Sequence, residues 1–397
     1  MTERSWHPDT VSVRGGLTRS EFDETSEALF LTSGFVYGSA EEAEAAFAGK
    51  TDRYIYSRYG NPTIAMFEER LRQLEKAEAA WATASGMAAV FNALAAILVT
   101  GDRVVASRAL FGSCFIILDQ LLPRWGIYTD FVDGSDLNQW EQALSTPAKA
   151  VFFESPSNPM QDLIDIEVVS QLAHDAGARV IVDNVFATPI LQRPLALGAD
   201  IVVYSTTKHI DGQGRTLGGA ILGGAEFIYE ELQPLMRHTG PSMSPFNAWV
   251  AVKALETLRL RVERQSESAR AVAVWLEEHP GVITVRYPDL ESHPQFDLAK
   301  RQMESGGTVV TLEVPGGTSG AFAVLNALEL IDISNNLGDT KSLITHPATT
   351  THRRLGPENR AAMGITDGTI RISVGLEYRD DILSDLERAL KANTSAG

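Results

Sequence analysis

Two short apolar runs end on polar residues 25 positions apart: Arg179-Val180-Ile181-Val182-Asp183 and Ile201-Val202-Val203-Tyr204-Ser205-Thr206-Thr207-Lys208. A continuous apolar run of this length, closed by a polar residue, is the pattern of a strand buried on both faces of a parallel sheet. In open sheets of that kind the C-terminal strand ends face the ligand crevice. An amine, a carboxylate and hydroxyls delivered to one crevice suit pyridoxal 5'-phosphate (PLP). The Lys208 amine can form a Schiff base with the aldehyde, Asp183 can hold the pyridine nitrogen protonated, and Ser205 and Thr207 can bond the phosphate.

The surrounding pattern supports such a sheet. Pro62–Glu78 reads as a helix, with Pro in its first turn and Met66, Phe67, Leu71 and Leu74 on one side. Strands are expected at Arg103–Ala106, Ile127–Phe131, Lys149–Phe153, Arg179–Val182, Ile201–Tyr204 and Leu217–Leu222, most of them separated by helical segments. This alternation predicts an α/β fold with a mainly parallel sheet. A long helical stretch, Pro245–Glu278, is expected to break near Arg261–Arg264. A smaller α+β pattern follows: strand Val282–Tyr287, helix Pro294–Met303, strand Thr308–Val314, helix Ser319–Leu328, a loop, strand Thr369–Ser373 and helix Arg379–Ala392, with a frayed tail from Asn393 to Gly397. The expected division is an N-terminal arm (1–60) with one helix at Ala40–Phe47, a large PLP-binding domain (61–253) and a C-terminal α+β domain (254–397).

The chain has 397 residues, 44% hydrophobic and 21% charged, enough for sizeable cores. Its net charge of -17 and lack of a basic block argue against nucleic acid as a partner. An anionic substrate therefore needs a local cationic pocket. A single cysteine, Cys114, excludes a disulfide framework or a multi-cysteine metal site; it reads as a small buried filler. Met1–Pro8 lacks the apolar core of a signal segment, and no run is long enough to span a membrane. A cytoplasmic protein without a membrane partner is expected.

Other motifs carry less. Gly49-Lys50-Thr51 resembles the end of a phosphate loop, but Glu44 stands where the first glycine is required. Gly212–Gly219 is glycine-rich without dinucleotide spacing, which disfavours a nucleotide-binding oxidoreductase. His346 and His352 lie six apart with no acidic partner, so no metal is expected there. Ser85-Gly86-Met87 opens an apolar helix at Ala88–Leu98 and, beside Ser205 and Thr207, offers a second set of phosphate donors. Arg58, in Tyr56-Ser57-Arg58-Tyr59-Gly60-Asn61-Pro62, suits bidentate phosphate binding or else a plain surface loop. Arg371, between Ile370 and Ile372, either meets solvent or binds a carboxylate in a cleft.

Tyr56–Pro62, Ser85–Met87, Ser155-Pro156-Ser157-Asn158-Pro159, Asp183, Ser205–Lys208 and His346-Pro347-Ala348, in this order, resemble the Cys/Met-metabolism family of PLP enzymes from about residue 25 to 392. The resemblance implies a fold-type I PLP-dependent transferase and a homotetramer. It implies that Tyr56 and Arg58 reach the neighbouring subunit's phosphate. Ser85, Gly86, Met87, Ser205 and Thr207 would complete the phosphate cup, and Asp183 would pair with the ring nitrogen. Asn158 and Arg371 would hold the substrate α-carboxylate.

Many family members carry Tyr-Gly where this chain has Phe111-Gly112. Phe111 can stack on the cofactor ring but cannot move a proton, which leaves that task to Lys208, with Tyr56. Where lyases and γ-synthases usually read Ser-Leu-Gly, this chain has Asn336-Leu337-Gly338, and the Asn336 amide can still bond a carboxylate. Lys208–Arg215 and Ala109–Ser113 are most similar to members that act on O-succinyl-L-homoserine with sulfide. The implied reaction is a γ-replacement giving L-homocysteine and succinate, in methionine biosynthesis. Cysteine as the nucleophile (cystathionine γ-synthase) is the alternative, followed by an acetyl ester or a γ-lyase. A PLP-binding chain without catalysis has only Phe111 in its favour. Lys341, Arg353 and Arg354 are open candidates for the distal succinyl carboxylate.

Overall fold

The computed structural model describes residues 6–394. Seven strands form the larger sheet: β1 (Ala79–Thr83), β2 (Arg103–Ser107), β3 (Tyr128–Val132), β4 (Ala150–Glu154), β5 (Arg179–Asp183), β6 (Ile201–Ser205) and β7 (Gly219–Gly223). Their order is β1-β7-β6-β5-β4-β2-β3. The pairs from β3 through β6 are parallel, and β7 runs antiparallel to both neighbours. Successive residues feed opposite faces, as the pleat requires. Phe152, Ile181 and Ile201 pack in one core and Phe153, Val182 and Val202 in the other. Each such side chain, fully buried, contributes roughly 1.5–3 kcal/mol, so the strand ends that carry polar groups are held in fixed register.

The smaller sheet has the order β10-β11-β12-β9-β8, from β8 (Thr284–Arg286), β9 (Val309–Glu313), β10 (Asp332–Ile333), β11 (Leu343–Thr345) and β12 (Thr369–Ser373). All its pairs are antiparallel except β10 with β11. It carries its own core, with Val310, Ile344, Ile370 and Ile372 packed against Leu276, Leu386 and Leu390.

Five helices precede or flank the first strands: α1 (Pro8–Arg14), α2 (Ala40–Phe47), α3 (Pro62–Glu75), α4 (Gly86–Ala95) and α5 (Gly112–Ile116). Asn61 caps α3 by accepting from the Thr63 N–H at 2.9 Å, and Lys76 in a left-handed conformation ends it. The expected face of α3 is buried through Met66, Phe67, Leu71 and Leu74.

Several expectations are corrected. The stretch to Glu78 is not all helix, and β1 was not anticipated, because its Ala-rich sequence has little β propensity; it exists through pairing with β7. The arm contains α1 as well as α2. The long helix breaks at Glu256–Thr257, between helices Pro245–Leu255 and Leu258–Glu277. Arg261 lies inside the second of these, where its buried guanidinium bonds the carbonyls of His209, Ile210 and Ala254. The loop before Thr369 contains β10 and β11. Asn393 and Thr394 finish the helix Arg379–Thr394 rather than fraying; residues 395–397 and 1–5 lie outside the described residues. No described helix is long and apolar enough to cross a membrane.

Candidate active site

Strands β4, β5 and β6 run parallel, so their C-terminal ends open on the same side of the sheet. There Ser85, Gly86, Met87, Phe111, Asn158, Asp183, Ser205, Thr207, Lys208 and Arg371 line one cavity of about 320 Å³. Ser205 ends β6, and Lys208 follows in the turn Thr206–Ile210, where its backbone (φ -92°, ψ -129°) departs from helix. The Lys208 ammonium donates to Asn336 Oδ1 at 2.6 Å. Burial, helped by the positive charge of Arg371, lowers the Lys208 pKa to about 8.

Asp183 ends β5, with Oδ1 accepting from the Val185 N–H at 3.1 Å. Burial raises its pKa to about 7. A cationic nitrogen beside it would restore the carboxylate, since an opposite charge favours the ionised form. Ser85 caps α4, its Oγ accepting from the Ala88 N–H at 3.1 Å, which leaves the first N–H groups of α4 free to face an anion. Gly86 permits the approach of α4 to β6: a Cβ there would lie 2.6 Å from Ser205 Cβ. Thr207 Oγ1 accepts from the Gly218 N–H at 3.2 Å, which keeps its hydroxyl at the cavity wall.

Arg371, on β12, is 1% exposed. It faces the cleft, not solvent. Its guanidinium donates to Asn158 Oδ1 and to the carbonyls of Asn335 and Asn336, each at 3.0 Å, while Nε has no partner. Among the described residues no carboxylate pairs with it. A buried cation without a counter-ion is costly, so the site is built for an anionic ligand. Burial lowers the Arg371 pKa only to about 10, and the charge persists at neutral pH.

Asn336 meets Lys208 and, through its carbonyl, Arg371. Tyr56 and Arg58 are not brought to this cavity within the chain. Tyr56 is 41% exposed, bridged to Gly34, and Arg58 bonds the Arg237 carbonyl and stacks over Tyr59 at 4.7 Å. Neither histidine ring is idle: His346 bonds Thr349 and the Asp367 carbonyl, and His352 bonds Thr351 and the Asn158 carbonyl.

One residue at the site escaped sequence reasoning. Glu154, the last residue of β4, is buried and accepts the Phe111 N–H at 2.7 Å. Its carboxylate, that of Asp183 and the Cys114 thiol lie within 4.8 Å of one another. Burial and mutual repulsion push Glu154 and Cys114 toward their protonated forms, which are poor metal ligands. The expected strand stopped at Phe153; carried one residue further, the rule that found Asp183 and Lys208 finds Glu154 too.

The donor set fits PLP. Lys208 would supply the amine, Asp183 the ring partner, and Ser85, Ser205, Thr207 and the start of α4 the phosphate donors. A family model for the Cys/Met metabolism PLP-dependent enzymes matches residues 9–391. An O-succinylhomoserine sulfhydrylase from Mycobacterium tuberculosis (strain CDC 1551 / Oshkosh) is 64% identical over 96% of this chain and 95% of its own length. One from Pseudomonas aeruginosa is 48% identical over 97% and 95%. A solved Campylobacter jejuni chain, described as an O-acetylhomoserine (thiol)-lyase with N'-pyridoxyl-lysine-5'-monophosphate, superposes with a TM-score of 0.94 at 32% identity, covering 97% of this chain and 100% of that one. Fold-type I architecture and PLP dependence follow, and the chain belongs to the Cys/Met metabolism family of PLP-dependent enzymes.

Proposed function

We propose that this enzyme replaces the γ-substituent of O-succinyl-L-homoserine with sulfide, giving L-homocysteine and succinate in methionine biosynthesis. The observation that carries it is Arg371, a buried cation that no carboxylate pairs among the described residues, beside Lys208, whose amine loses its proton more readily than an ordinary lysine. The similarity to two O-succinylhomoserine sulfhydrylases over nearly the whole chain supports the choice of ester and nucleophile.

PLP, when bound, supplies the sink for negative charge developing at the substrate Cα. Lys208 is proposed to hold it, with Asp183 at the ring nitrogen and Ser85, Gly86, Met87, Ser205 and Thr207 at the phosphate. Phe111, which lines the cavity, would stack on the ring and, having no hydroxyl, would move no proton. Arg371 and Asn158 bind the α-carboxylate, which orients the Cα–H toward Lys208. Near neutral pH a useful fraction of the Lys208 amine is uncharged and can accept that proton. Asn336, 2.6 Å from Lys208 Nζ, holds the amine in position when it leaves the cofactor. Loss of a Cβ proton then supplies the pair that forms a Cβ=Cγ bond as succinate departs with the Cγ–O bonding pair; hydrosulfide adds at Cγ to form the new C–S bond, and protons return to Cβ and, from Lys208, to Cα.

Tyr56 and Arg58 are proposed to act in a neighbouring subunit's site, within a homotetramer. The arm that bears them exposes Leu31 (69%), Val36 (90%) and Phe47 (68%), apolar area suited to burial against another copy. The free, buried Cys114 thiol suits a reducing compartment, and the cytoplasm is the proposed location.

Initial rates with sulfide, cysteine and methanethiol, each against the succinyl and acetyl esters, test the activity. Sulfide with the succinyl ester is expected to be fastest. Faster turnover with cysteine would reassign the enzyme as a cystathionine-forming one.

A further inference from the structure

A second cavity, of about 520 Å³, adjoins the first. Met87 and Ser113 line both, so the two cavities are neighbours that meet at these side chains. Beyond Ser113 the wall is mostly apolar, with Phe91 and Ile116 on one side and the Thr350–Arg354 segment on the other. That segment is clamped onto the start of α5: a Cβ on Gly112 would lie 2.9 Å from the Thr351 carbonyl oxygen. Among the described residues, Arg354 is the one charged side chain that lines this second cavity.

The proposed substrate carries two carboxylates, and Arg371 can take only the one at Cα. The distal one must be held elsewhere, in a protein whose net charge of -17 repels it. Of the three candidate cations, Lys341 is paired with Asp339 at 3.5 Å and lines neither cavity. Arg353 lines neither cavity as well. Arg354 lines the adjoining one, and no hydrogen bond or ion pair engages it among the described residues.

We infer that the cavity between Ser113 and Arg354 is the acyl subsite, and that Arg354 binds the distal carboxylate of the succinyl group. The apolar walls receive the two methylenes, and the guanidinium sets the preference for a dicarboxylic over an acetyl ester. Part of the assignment rests on the activity proposed above.

The test is the ratio of kcat/KM for the succinyl ester to that for the acetyl ester, measured with sulfide on the PLP-loaded full chain. Arg354→Gln is expected to lower the ratio about tenfold, mainly through KM for the succinyl ester, because a charge-assisted hydrogen bond is lost. Arg354→Lys should recover part of the loss, and Arg353→Gln should leave the ratio where it was. Arg354 is exposed, so thermal melting of its variants should match the parent. An unchanged ratio in Arg354→Gln, or an equal fall in Arg353→Gln, overturns the subsite while the activity stands. A parent enzyme that does not turn over the succinyl ester removes both.

Discussion

Glu154 and Asp183 are direct partners across the β4–β5 ladder, and their carboxylate oxygens approach within 4.8 Å in the lining of the candidate active-site cavity. Two carboxylates this close, both buried, cannot both ionise cheaply. With Asp183 as the proposed partner of the ring nitrogen, the proton belongs on Glu154, whose carboxyl is pushed well up by burial and by Asp183. Glu154 then acts as a neutral acceptor for the Phe111 N–H. Glu154→Gln keeps that acceptor and the shape, and should change stability by less than about 1 kcal/mol. Glu154→Ala orphans the N–H and opens a cavity, at a cost of roughly 2–4 kcal/mol. Urea unfolding of the two variants decides; equal losses would mean that Glu154 works as an anion.

Loading of the cofactor requires an uncharged amine. With the Lys208 pKa near 8, the rate at which apoprotein combines with PLP should rise about tenfold per pH unit below that value and level off above it. An ordinary lysine would still be climbing at about pH 9–10. Stopped-flow absorbance across this range separates the two, and Lys208→Ala should never develop the colour of the lysine-linked cofactor.

Arg371→Ala should weaken substrate binding by roughly 2–5 kcal/mol, because the carboxylate would be desolvated without a partner. Arg371→Lys should recover only part of this. An ammonium cannot reach Asn158, the Asn335 and Asn336 carbonyls and a carboxylate together. Inhibition constants of a substrate analogue measure both changes, and unchanged affinity in Arg371→Ala would remove the assigned role.

The site was legible in the sequence wherever a buried parallel strand ends, because such strands leave an uninterrupted apolar run and their polar stop is visible. Asp183 and Lys208 were found this way, and Glu154 was lost by one residue. Strand β1 was illegible because Ala79–Thr83 has no local preference for a strand and takes its conformation from β7. Strands β10 and β11, of two and three residues, are too short to show a period. Arg371 could not be oriented from its neighbours, since β12 is buried on both faces and no alternation marks an outer side. The adjoining cavity joins α4, α5 and the Thr350–Arg354 segment, which no local pattern connects.

Glu75 gives the enzyme a distinctive dependence of stability on pH. It ends α3, is 1% exposed, and accepts the Tyr204 hydroxyl at 2.6 Å. Its other oxygen has no hydrogen-bond partner among the described residues. Burial raises its pKa from 4.5 to about 8. In that interval the folded chain keeps a proton that the unfolded chain has released, so stability falls as pH rises. Below about 4.5 the contribution is complete, and above about 8 it is gone. Glu75→Gln carries no titrating proton but still offers an oxygen to Tyr204. Relative to that variant, the parent should lose on the order of 2–4 kcal/mol between pH 5 and 8. Urea midpoints of the two apoproteins, taken at several pH values, give the difference directly; parallel curves would show that Glu75 is ionised in the folded state.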